Sequence, residues 1–186
     1  MLKAIEEALK GGARAVQLRE KDLDIRALLE LAYRMRELTA RYRAKLFIND
    51  RLDVALSVEA DGVHLGVTGI PVEAARKVLG NRLVIGVSTH SVGEAKKAHE
   101  DGADFITLGP VLATPSKVQY GKPVGTEVLR QVATGLALPV FAIGGMTISR
   151  VRDMMRQGAF GIALISAVLT AEDIRKTTEE FMRALS

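Results

Sequence analysis

The chain has 186 residues, 48% apolar and 26% charged, and its 26 Lys and Arg against 22 Asp and Glu leave a net charge of +4, the profile of one globular domain. The absence of cysteine excludes disulfides, zinc ribbons, thiolate catalysis and iron–sulfur clusters. Aromatic residues reach only 4% with no tryptophan, too few stacking platforms for single-stranded nucleic acid, and no apolar run is long enough to span a membrane.

The opening segment, MLKAIEEALKGG, carries acids and a helical period where a signal peptide would be continuously apolar. It predicts a helix over Leu2–Leu9 and a cytoplasmic location. A strand follows at 13–18 (ARAVQL), then a long helix from near Asp24 with Ile25, Leu28, Leu29, Ala32, Met35, Arg36 and Leu38 along one face. Next come a strand at 45–49 (KLFIN), a short helix around Val54, Ala55 and Val58, and a strand at 62–66 (GVHLG). Pro71 opens a helix carrying Ala74, Ala75, Val78 and Leu79. The strand at 83–88 (LVIGVS) leads to Ser91 and Glu94, a capping box ahead of another helix. The last strands are predicted at 104–109 (DFITLG), 139–144 (PVFAIG) and 161–166 (GIALIS). Thr147, Ser149 and Thr170 are expected N-caps, and the glycines at 11–12, 62, 102 and 158 are expected helix C-caps.

Repeated βα units with continuously apolar strands mean a parallel α/β fold. A doubly wound sheet would carry a GxGxxG turn after its first strand, and none occurs. Polar residues instead close nearly every strand, as the C-terminal mouth of a TIM-type (β/α)8 barrel requires. Residues 1–186 are therefore expected to form a single barrel domain. Only seven strands are found, because a helix stands where the first strand belongs, so that strand is expected to be missing from this chain.

Four constellations could carry chemistry. Gln17, Arg19 and Lys21 alternate onto one side at a strand end, a donor set for phosphate or pyrophosphate; Arg and Gln on an apolar strand are costly to bury without a role. Asn49-Asp50 closes the next strand, where a carboxylate could hold a divalent cation or simply make an Asx turn. The connection from Gly109 to Gly125 is the longest in the chain and offers Thr114, Ser116 and Lys117 to an anionic substrate. Gly144-Gly145 and Ile165-Ser166 fit the phosphate site that barrels form after their last strands. Among the histidines, His99 reads as exposed, His90 as a cap or a site residue, and His64 as a satisfied barrel residue.

These segments, QLREK at 17–21, FIND at 47–50, DGVHLG at 61–66, IGVSTHS at 85–91, LGPVLATPSK at 108–117, AIGGMT at 142–147 and GIALISAV at 161–168, together resemble the thiamine phosphate synthase family and its TenI-type relatives. The resemblance implies a transferase that joins a hydroxymethylpyrimidine diphosphate to a thiazole phosphate, releasing pyrophosphate and forming thiamine phosphate. It implies that Gln17, Arg19, Lys21, Asn49 and Lys117 hold the pyrimidine diphosphate with Ser88 beside it, and that Asp50 contacts Mg²⁺. Thr114 and Ser116 would meet the thiazole, whose phosphate would rest on Gly144, Gly145, Ile165 and Ser166. Catalysis would be electrostatic, from Arg19, Lys21 and Lys117, without a covalent nucleophile.

The chain departs from the family where Val67-Thr68-Gly69 replaces a stretch ending in a second acidic Mg²⁺ ligand, and where Pro110 stands at the catalytic histidine of the thiazole tautomerases. A TenI-like thiazole phosphate tautomerase and a non-catalytic phosphate-binding barrel are the alternatives. The expected partners are small phosphorylated molecules, with no nucleic acid and no membrane; a homodimer is compatible with this reading.

Overall fold

The computed structural model describes residues 1–114 and 122–186. Helix α1 (Leu2–Lys10) precedes β1 (Ala15–Leu18), and the chain then alternates: α2 (Ile25–Arg41), β2 (Lys45–Asn49), α3 (Leu52–Ser57), β3 (Gly62–Leu65), α4 (Val72–Leu79) and β4 (Val84–Thr89). It continues with α5 (Val92–Glu100), β5 (Phe105–Leu108), α6 (Gly125–Gly135), β6 (Val140–Ile143), α7 (Ile148–Arg156), β7 (Gly161–Ala163), α8 (Ser166–Leu169) and α9 (Ile174–Leu185). The seven strands run parallel in one sheet, each beside its sequence neighbour from β1 to β7. This is the TIM-like architecture expected, with seven strands rather than eight among the described residues. Among the described residues β1 and β7 do not pair, while α9 packs on both α1 and α7 and keeps the helical layer continuous where the sheet is not. No helix among the described residues is long and apolar enough to cross a membrane.

Local chemistry sets the helix starts. Asp24 caps α2 by accepting from the backbone N–H groups of Arg26 and Ala27, and Ser91 caps α5 by accepting from Glu94 N–H. The Glu94 carboxylate reaches back to His90 N–H, one residue before the usual partner of a capping box. Three expected caps fall elsewhere. Ser149 lies inside α7, whose N-cap position is Thr147. Thr170 follows α8 and donates to the Ser166 carbonyl, while Asp173 caps α9. Gly62 opens β3 rather than closing a helix.

Strand register explains Gly62. Phe47 lies opposite Gly62, Phe105 opposite Gly86, and Phe141 opposite Gly161. Each ring occupies the space over a neighbouring strand's glycine: a Cβ on Gly62 would come within 2.5 Å of Phe47, and one on Gly86 would run into Phe105. The rings meet edge to face, with centroids 5.3 Å apart for Phe47–Phe105 and 5.5 Å for Phe105–Phe141. Such pairs contribute about 0.5–1.5 kcal/mol beyond the area they bury.

The opposite ends of the strands share a second device. Asp61, before β3, donates its backbone N–H to the Leu46 carbonyl of β2, and its carboxylate takes Leu46 N–H at 2.9 Å and Arg36 at 2.7 Å. Asp104, before β5, repeats this with Ile85 of β4 and with Arg76, both at 2.7 Å. Burial pulls the Asp61 carboxyl upward, but Lys45, the Leu46 amide and Arg36 outweigh it and hold the group below the usual carboxylate range. These clasps fix the floor of the barrel and leave the carboxyl ends of the strands for chemistry.

Candidate active site

At the carboxyl ends of β1 to β3, side chains far apart in sequence form one chain of hydrogen bonds. The Gln17 amide donates to Asn49 Oδ1 at 3.0 Å, and Asn49 Nδ2 donates to Asp50 Oδ2 at 2.7 Å. Asp50 Oδ1 accepts from Gly66 N–H at 2.7 Å. Asp50 itself has a φ of 59°, a left-handed conformation that Asp tolerates better than most residues. The Gln17 amide also lies 3.5 Å from Nδ1 of His64, whose Nε2 is 3.3 Å from the Thr107 hydroxyl. An amide NH₂ can only donate, so Nδ1 accepts and Nε2 carries the proton. His64 is buried; burial lowers its pKa to about 4, with the Asp50 carboxylate pulling the other way, so the ring is neutral.

A cavity of about 650 Å³ opens beside this network at the ends of β4 to β7. Ser88, Thr114, Gly144, Gly145, Ile165 and Ser166 line it, so six expected site residues share one space. Thr107 lines it too and joins it to His64. The floor is tightly built. Val111 N–H bonds the Ile143 carbonyl at 2.8 Å, and a Cβ on Gly144 would come within 2.6 Å of Pro110. Gly144 and Gly145 have φ values of 94° and 69°, which side-chain-bearing residues rarely adopt. His90 also lines the cavity, its Nδ1 hydrogen-bonded to the Gly109 carbonyl. A carbonyl only accepts, so Nδ1 holds the proton.

Arg19 and Lys21 stand exposed just beyond β1, and among the described residues neither makes an ion pair or side-chain hydrogen bond. Gln17 turns instead to Asn49, so the three residues do not form a single preassembled clamp. Ser116 and Lys117 lie outside the described residues. Sequence reasoning missed Arg150, whose Nη1 donates to the Gly145 carbonyl at 2.9 Å and which lines the cavity. A cation in the first turn of a helix was the available signal, because the helix dipole disfavours it there.

The donor set for a divalent cation is narrow. Among the described residues no three His, Asp or Glu side chains gather to hold a metal. Asp50 is the one carboxylate in the network, and Gly69 packs so closely on it that a Cβ there would strike Oδ1. One carboxylate fits a Mg²⁺ that keeps several waters and shares substrate phosphates.

A TIM-like sheet with its polar side chains gathered at the carboxyl ends of the strands has the layout of a barrel enzyme. The comparisons specify which. A family model described as thiamine monophosphate synthase matches residues 1–168, and the chain belongs to that family. It is 50% identical over 185 residues to a putative thiamine-phosphate synthase of Geobacter sulfurreducens, covering 100% of this chain and 87% of that one. It is 42% identical over 182 residues to the thiamine-phosphate synthase of Pyrococcus furiosus, covering 98% and 87%. The solved structure of a thiamine phosphate pyrophosphorylase from Pyrococcus furiosus superposes with a TM-score of 0.92 at 41% identity, over 99% of this chain and 88% of that one. A 3-hexulose-6-phosphate synthase, with a TM-score of 0.74 at 15% identity, shares the fold alone.

Proposed function

We propose that the chain joins a hydroxymethylpyrimidine diphosphate to a thiazole phosphate, releasing pyrophosphate and forming thiamine phosphate. The observation that carries this reading is the division of the strand ends into two connected stations. One is the Gln17–Asn49–Asp50–His64 network with Arg19 and Lys21 nearby; the other is the glycine-floored cavity reaching Thr114, Gly144, Gly145, Ile165 and Ser166, with Thr107 between them. Each station suits one phosphorylated substrate.

In the reaction the bond from the pyrimidine's exocyclic methylene to the diphosphate oxygen breaks, its electron pair leaving with pyrophosphate. The thiazole nitrogen then bonds the methylene carbon. Arg19, Lys21 and Lys117 stabilise the charge that develops on the departing oxygens, while Gln17 and Asn49, each held by the other, orient the pyrimidine diphosphate and Ser88 stands beside it. Gly144 and Gly145 bring backbone rather than side chains up to the thiazole phosphate, Ile165 and Ser166 complete its site, and Thr114 and Ser116 are the residues assigned to meet the thiazole. Mg²⁺, when bound at Asp50, supplies further positive charge to the leaving pyrophosphate. No covalent nucleophile is needed. Pro110 offers no proton-transfer group, which disfavours the tautomerase alternative. The workplace is the cytoplasm.

The test is pyrophosphate release with both substrates and Mg²⁺, each omitted in turn. Release that needs both supports the synthase. Conversion of thiazole phosphate alone supports the tautomerase, and binding without turnover supports a non-catalytic barrel.

A further inference from the structure

Arg150 has a placement that its own helix does not explain. It lies in the first turn of α7, where the aligned peptide dipoles favour anions, and that turn contains no acid. Among the described residues Arg150 makes no ion pair, whereas Arg156 of the same helix pairs with Asp153 at 3.3 Å. Its Nη1 donates to the Gly145 carbonyl at 2.9 Å, tying the guanidinium to the glycine pair, and no described residue takes its remaining N–H groups. Thr147, the N-cap of α7, makes no side-chain bond to a backbone N–H of the helix; its hydroxyl pairs with that of Ser149 at 3.1 Å. The guanidinium, the glycine pair and Ser166 all line the same cavity. A cation anchored beside a glycine floor, without a carboxylate partner, is a site awaiting a counter-anion.

We propose that Arg150 supplies the side-chain charge that binds the phosphate of the thiazole substrate, and so determines the preference for the phosphorylated thiazole over its free alcohol. The proposal rests on the synthase reading above and adds to it a residue and a specificity. The backbone at Gly144 and Gly145 shapes the floor, and Arg150 contributes full charge there, in the geometry that suits a guanidinium to phosphate oxygens.

The experiment compares wild type with Arg150→Gln and Arg150→Lys in two measurements. The first is steady-state kinetics at saturating pyrimidine diphosphate, varying either thiazole phosphate or thiazole alcohol. The second is calorimetric titration with thiazole phosphate alone, which does not depend on turnover. Arg150→Gln is expected to raise KM and Kd for thiazole phosphate about 10- to 100-fold, the scale of one charge-assisted contact. The KM for the pyrimidine diphosphate and the kcat/KM for the alcohol should hold, and Arg150→Lys should recover part of the loss. Equal losses for phosphate and alcohol would show that Arg150 only braces the Gly145 loop and would overturn the proposal, as would unchanged thiazole phosphate affinity. A wild type that binds thiazole phosphate but forms no product would overturn the synthase reading instead, leaving Arg150 to be judged by the titration.

Discussion

The carboxylate of Asp50 occupies the space into which any side chain on residue 69 would grow. A Gly69→Asp substitution therefore displaces Asp50 from Gly66 N–H and sets two carboxylates side by side. We expect the variant to lose about 1–3 kcal/mol of stability without metal, the cost of a broken hydrogen bond and like-charge contact. Mg²⁺ should restore that loss, and Mg²⁺ affinity should exceed that of the parent both with and without pyrophosphate. Thermal melts and calorimetric titrations check both points. Equal Mg²⁺ binding by the two proteins in both conditions would remove residue 69 from any metal site.

His64 makes stability depend on pH. Its folded pKa, about 4, lies below the ordinary 6.5 because burial disfavours the charged ring. The neutral ring's contribution is thus complete above pH 6.5 and is lost as pH falls towards 4, amounting to about 3 kcal/mol at the acid end. Urea unfolding at pH 7 and pH 4.5 should show a smaller difference for His64→Gln than for wild type. The same acid sensitivity in both would assign that transition to other groups.

Arg19→Ala should separate binding from folding. The side chain is exposed and makes no ion pair among the described residues, so its melting temperature should move by no more than about 2 °C. The KM for the pyrimidine diphosphate should rise by about 10-fold or more. Lys117→Ala should likewise raise that KM. A variant that melts far lower yet binds normally would return that residue to a structural role.

The ring-over-glycine packing is tested by Gly86→Ala, whose methyl would collide with Phe105. Overfilling of this kind costs about 1–3 kcal/mol. Adding Phe105→Leu should recover part of it in urea unfolding. Strictly additive losses would mean that the two sites do not share that space.

All seven strands and most helix starts were legible in the sequence, because buried parallel strands are unbroken apolar runs and caps are local chemistry. Ends were less legible. The run at 161–166 reads as one strand, yet β7 stops at Ala163, and Ile165, still apolar, caps α8. Gly62 shows a deeper limit: a glycine needed for a left-handed turn and one needed because a ring lies over it look identical until register is known. The partners of His64 come from residues 17 and 107, and no local window contains them. Arg150 was passed over because one arginine on an amphipathic helix reads as solvent-facing.

The contact of α9 with α1 and α7 joins parts of the protein that no strand ladder connects. Every strand among the described residues pairs with its neighbour in sequence, so the sheet can grow one βα crossover at a time, whereas α1 and α9 close a loop nearly as long as the chain and carry the greatest entropic cost. The latch is apolar: Ala8 of α1, Val151 of α7, Val168 of α8 and Phe181 of α9 form their own buried cluster. The strands bury Leu46, Ile48, Val63, Leu65, Ile85, Ile106 and Leu108 in a much larger apolar core, so when cooling weakens apolar burial the small latch has the lesser reserve. Near freezing, amide exchange should therefore quicken first at the two terminal helices, and the barrel should loosen there before any strand separates.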